Sequence, residues 1–187
     1  MQRTAGASSR TQGDVSSGDV SLLEYLNVSQ TTCLNESFEH GIKSIPSSRK
    51  ANTSDAYLLS DADEQLLLTI SFNQTVRVRS IVIKSANLPQ APKEIKILVN
   101  RQSVGFEDVQ DAREPEVAQA LELTEDQVKE GKQIPLRFVR FQTVNSLHIF
   151  VASNHGGEDE TRIDAIDIFG VPVETTKDLS GLKKQEE

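Results

Sequence analysis

From Tyr57 onward, apolar side chains recur at every second position, the period of a strand with one buried face. Leu66, Leu68, Ile70 and Phe72 share one face, and Val76 and Val78 keep that parity beyond the link Asn73-Gln74-Thr75. At Arg79-Ser80 the parity flips, and Ile81 and Ile83 take over. One extra residue in a strand exchanges which side chains point inward, so the flip predicts a β-bulge. Further strands are expected at Ile95, Ile97 and Val99, at Val139 and Phe141, at Leu147, Ile149 and Val151, and at Ile166 and Ile168. Pro89, Pro92, Gly105, Pro115, Pro135 and Gly156-Gly157 punctuate them as turns.

Helical signals are few. Thr124 and Gln127 form a capping box, and Gly131 ends the segment they open. Leu22, Leu23 and Leu26 suit one helical turn plugging an end of the core. Many short strands, no alternating βαβ pattern and one or two short helices imply an all-β protein, an antiparallel β-sandwich or jelly roll. Residues 1–20, rich in Ser, Gly and Thr, are expected to be disordered, with the domain over 21–175 and a charged, flexible tail over 176–187. Residues 46–55 read as a polar loop.

Charge narrows the choice of partners. The chain of 187 residues carries a formal charge of −8, and its basic cluster Lys183-Lys184 is short and stands beside glutamates. Nucleic acid and anionic membrane surfaces would repel it, and no apolar run reaches the ~20 residues of a membrane span. One cysteine, Cys33, permits no intrachain disulfide. Four sequons, at Asn27, Asn35, Asn52 and Asn73, follow an N-terminus without a secretory core, so a cytoplasmic or nuclear monomer is expected and the sequons are expected to stay unmodified.

Candidate chemistry is sparse. Asp61-Ala62-Asp63-Glu64 could offer oxygens to calcium, but neither the glycine nor the distal glutamate of an EF-hand loop is present. The alternative is a solvated strand entry, protected from edge pairing, with a polar rim that a partner could meet. Cys33 and His40 would make a nucleophile–base pair only if the fold joined them, and a small buried thiol is the commoner case. His40, His148 and His155 lack zinc-ligand spacing, so neither metal nor cofactor is expected. The loop Ser153–Arg162, with its two glycines, is a solvated hairpin or a binding rim. Asp61, Asp63, Glu64, Asn154, Glu160 and Arg162 are the candidate partner-binding residues.

Five separated blocks then carry a family likeness: CLNES at 33–37, SDADEQLLLTISFNQTVRVRS at 60–80, QALELTED at 119–126, RFVRFQTVNSLHIFVASN at 137–154, and TRIDAIDIFGVPVETT at 161–176. Together they resemble the PITH domain over roughly residues 20–180, a module found C-terminally in thioredoxin-like proteins and in stand-alone proteins. The resemblance implies a jelly roll related to galactose-binding-like modules. It also implies a non-enzymatic role in association with the 26S proteasome regulatory particle. The redox Cys-x-x-Cys of the thioredoxin half is missing, so the chain resembles the stand-alone form and no reductase activity is carried over. A small-ligand or glycan-binding module, with 153–162 as its rim, is the alternative. It is weakened by the lack of tryptophan and the presence of only two tyrosines for stacking sugars.

Overall fold

The computed structural model describes residues 18–45 and 49–174, so the expected disordered N-terminus and charged tail lie almost wholly outside the described residues. Within them the strands are β1 (Val20–Ser21), β2 (Thr32–Leu34), β3 (Leu58–Leu59), β4 (Leu66–Lys84), β5 (Glu94–Val99), β6 (Gln119–Glu122), β7 (Ile134–Pro135), β8 (Val144–Val151), β9 (Arg162–Ile163) and β10 (Ala165–Pro172). Two short α-helices, α1 (Phe106–Val109) and α2 (Glu125–Glu130), and several 3-10 turns complete the fold. Among the described residues no helix is long and apolar enough to cross a membrane.

The 19-residue strand β4 organises everything else. Its first half pairs with β2 on one side and β8 on the other, and β8 continues to β5 and β6. Between Ser71 and Val76 the register with β8 slips, and the strand crosses into a second layer. There it pairs with β10 and β7, and β1 closes the outer edge of β10. All pairings are antiparallel. A two-stranded ribbon, β3 with β9, sits apart from this curled sheet.

The expected bulge is present. Phe169 pairs with Ser80 but Gly170 pairs with Val78, so Arg79 is the unmatched residue and the buried set changes parity across it. Leu66, Leu68 and Ile70 from the first layer then meet Val78, Ile81 and Ile83 from the second in one core cluster, which includes Ile149 of β8 and Ile97 of β5. Gly170 lies where β10 approaches β4 closely. A Cβ there would overlap the Arg77 carbonyl oxygen and stand 3.0 Å from the Arg77 carbonyl carbon.

Leu22–Tyr25 forms a 3-10 turn whose Leu22 and Leu23 are buried against the core, as the apolar triplet implied. The capping box of α2 is made as expected. Gln127 N–H donates to Thr124 Oγ1 and Thr124 N–H to Gln127 Oε1, and Gly131 closes the helix at φ 66°. The strand expected at Val139 and Phe141 is not formed. Phe138–Arg140 is a 3-10 turn, Val139 is exposed and Phe141 buried, and the strand starts only at Val144. The chain must cross here from β7 in one layer to β8 in the other. The Phe141 N–H satisfies the Phe138 carbonyl while Val78 N–H donates to the Phe141 carbonyl.

The outer face of the first layer is also covered. Val109, Ala112 and Val117 pack over Leu67, Leu98 and Phe150 as a second apolar cluster. Lys96 Nζ donates to the carbonyls of Val109 and Gln110 at 2.9 and 2.8 Å, pinning the end of α1 to the sheet. His148 lies on this outer face, as its alternation with Leu147 and Ile149 implied, and it too is buried.

Candidate functional site

Three loop segments, 35–42, 57–65 and 153–164, are drawn together where β4 begins and β10 follows β9. Ser60 and Thr161 join them. Ser60 N–H donates to the Thr161 carbonyl at 3.0 Å, Thr161 N–H to Ser60 Oγ at 2.8 Å, and Thr161 Oγ1 to the Glu64 carbonyl at 2.6 Å. Both side chains are fully buried. The acidic turn and the glycine loop, separate in sequence, are therefore one surface. All six candidate residues fall on it or just beneath it.

Their individual situations differ. The acidic turn is built around Asn35, whose φ of 66° is one that asparagine tolerates better than most residues. Its Nδ2 donates to Asp63 Oδ1 at 2.9 Å and to the Gln65 carbonyl at 2.7 Å, and its Oδ1 accepts from Ala62 N–H at 3.0 Å. Asp63 Oδ1 also accepts from Gln65 N–H at 3.0 Å, so this carboxylate is engaged in holding the turn. Asp61 and Glu160 point into solvent, and Glu64 is half-buried. Among the described residues no three His, Cys, Asp or Glu side chains converge as a metal site would require.

Asn154 faces inward. Its Nδ2 donates to the carbonyls of Glu158 and Glu160 at 2.9 and 3.1 Å, and its Oδ1 accepts from Glu158 N–H at 2.8 Å. At 5% exposure it staples the loop, and its polar atoms are already engaged there.

Arg162 belongs to a stack that the sequence did not reveal. Its guanidinium lies 3.8 Å from the Tyr57 ring centroid, and its Nε donates to both Asp164 oxygens at 2.8 and 2.9 Å. The His40 ring stacks on Tyr57 at 4.0 Å with 14° between planes. Two groups that close cannot share one face of the ring, so the order is His40, Tyr57, Arg162, a planar pile clamped by Asp164. Phe38, in the turn before His40, is fully exposed. No periodicity marks these residues; only the scarcity of tyrosine could have drawn attention to Tyr57.

Cys33 and His148 are both buried away from this surface. Cys33 is buried in the core on β2, and burial, reinforced by the nearby Glu36 carboxylate, pushes its thiol well above its ordinary range. His148 Nε2 lies 3.1 Å from the Arg101 carbonyl, which can only accept, so Nε2 carries the proton and Nδ1 accepts from Thr69 Oγ1 at 3.0 Å. Burial holds its pKa below the ordinary 6.5, the Arg101 carbonyl opposing that shift and the Arg101 charge adding to it. The sequon asparagines Asn35 and Asn52 are structural too, since Asn52 Nδ2 donates to the carbonyls of Ala56 and Asp164 at 2.7 and 2.9 Å.

This architecture has known counterparts. The family 32 CBM from C. perfringens NanJ, solved in complex with galactose, superimposes with a TM-score of 0.54 over 81% of this chain and 98% of that one. Identity is only 9%, so the likeness establishes a galactose-binding-like β-sandwich fold and nothing further. By sequence, Thioredoxin-like protein 1 of Schizosaccharomyces pombe is 38% identical over 159 residues, 83% of this chain and 53% of the relative. The chain thus spans about half the length of that relative. PITH domain-containing protein CG6153 of Drosophila melanogaster is 34% identical over 154 residues, 81% of this chain and 70% of that protein. The family model described as PITH domain matches residues 12–187, and the chain belongs to that family.

Proposed function

We propose that this domain is a non-enzymatic protein-interaction module that docks on the 26S proteasome regulatory particle in the cytoplasm or nucleus. Family membership supports an interaction role, and the observation that carries the reading is the loop end described above. Its amide and hydroxyl groups bond to one another, so what remains outward is a fixed surface of carboxylates and one aromatic ring. Such a surface is pre-organised for another macromolecule and loses little freedom on binding. The same geometry disfavours the glycan reading, because Asn35 and Asn154, natural sugar hydrogen-bonders here, are already engaged.

Direct titration of purified 26S particles with fluorescently labelled protein tests the proposal. Saturable binding, displaced by unlabelled protein and confined to particles carrying the regulatory particle, is expected. Signal no greater than that of an unrelated domain of equal negative charge would overturn it.

A further inference from the structure

Phe38 is the feature of this surface that folding does not explain. Among the described large hydrophobic residues it is the most exposed. A flexible loop could hide it transiently, but this one is closed. Ser37 N–H donates to the Leu59 carbonyl at 2.8 Å, Leu59 N–H to the His40 carbonyl at 3.0 Å, and His40 N–H to the Ser37 carbonyl at 3.3 Å. Glu36 Oε2 accepts from Ile42 N–H at 2.7 Å just beyond. The turn is therefore pinned at both ends and backed by the His40–Tyr57–Arg162 pile.

Holding a phenyl ring in water on a rigid support gains the isolated domain nothing, whereas it suits an anchor that enters a pocket on a partner. The surroundings specify that partner's chemistry. Glu39, Asp61, Asp63, Glu158, Asp159 and Glu160 are all exposed on the three joined segments. Across those segments Arg162 is the one lysine or arginine, and Asp164 neutralises it; Lys43 stands just beyond. A second copy of the same end, or an anionic membrane, would be repelled.

Resting on the proposed docking role, we infer that Phe38 is the anchor of the interface and that it inserts into an apolar pocket rimmed by lysine and arginine on the regulatory particle. The ring supplies affinity, and the carboxylates supply orientation and salt dependence.

The test measures binding of purified 26S particles by the full chain, by Phe38→Ala and by Asp61→Lys, with melting temperatures recorded alongside. Phe38→Ala is expected to melt with wild type, since its side chain touches solvent, and to weaken binding by about tenfold or more. Asp61→Lys is expected to weaken binding less and to flatten its dependence on salt. If wild type binds and Phe38→Ala binds equally well, the inference falls while the docking role stands. If wild type does not bind, the docking role fails and takes the anchor with it. Phe38-dependent dimerisation in sedimentation velocity, or Phe38-dependent retention on a glycan array, would assign the ring to another occupant and overturn the inference.

Discussion

Gly170→Ala adds one methyl group, yet the structure makes it a severe test of the strand crossing. The new Cβ would overlap the Arg77 carbonyl oxygen and stand 3.0 Å from the Arg77 carbonyl carbon and 3.1 Å from Val78 Cα. All three are backbone atoms, so no rotamer change relieves the contact. The pairing of Gly170 with Val78 and of Val171 with Arg77 must open, beside a bulge that already leaves Arg79 unmatched. Overpacking of this kind costs about 1–3 kcal/mol, and each lost ladder hydrogen bond about 1 kcal/mol. A total of roughly 3 kcal/mol is a large share of the 5–15 kcal/mol that holds a typical domain together. For a domain of this size it corresponds to a melting temperature lower by about 6–12 °C. Urea unfolding followed by circular dichroism would measure it, with an unchanged slope showing that only stability moved. A midpoint shift equivalent to less than about 0.5 kcal/mol, the scatter of neutral surface substitutions, would show that β10 does not approach β4 this closely.

Three further outcomes are expected. Arg162→Lys should cost about 1 kcal/mol in urea unfolding, because a compact ammonium has no planar face to lay over Tyr57 while its stem reaches Asp164; stability equal to wild type would dissolve the stack as a structural unit. His148 has a folded-state pKa below its ordinary 6.5, so the unfolded chain takes up the proton first and stability must fall as pH drops below about 6.5. His148→Gln should lose that component, and parallel melting curves for both proteins from pH 7.5 to 5.5 would refute it. Cys33, buried with its thiol pushed up, should react with Ellman's reagent only at the rate of unfolding; rapid native-state labelling would place it on the surface.

What could be read from the sequence was whatever repeats or follows a local rule. The change of parity between Val78 and Ile81 located the bulge because each inward side chain there is large and aliphatic. Thr124, Gln127 and Gly131 delimited α2 because their bonds are local. Strands β1, β3, β7 and β9, two residues each, are too short to show a period. Val139 and Phe141 imitated a strand until the need to cross between layers imposed a turn. At the loop end, the acidic run and the glycine loop were visible as polar segments. Their joining through Ser60 and Thr161 was not, since those bonds link residues about a hundred positions apart, largely through backbone atoms. Asn154 shows the same limit: composition marks it as polar, but only the path of residues 158–161 turns it inward.

Because one continuous strand, β4, contributes a central member to each layer, the two halves of the sandwich have no seam along which to separate. Amide protons of the inner strands in both should therefore exchange with solvent through a single whole-molecule opening. A cut at Asn73–Thr75 would leave two fragments, each missing the backbone partner that its neighbouring strands need.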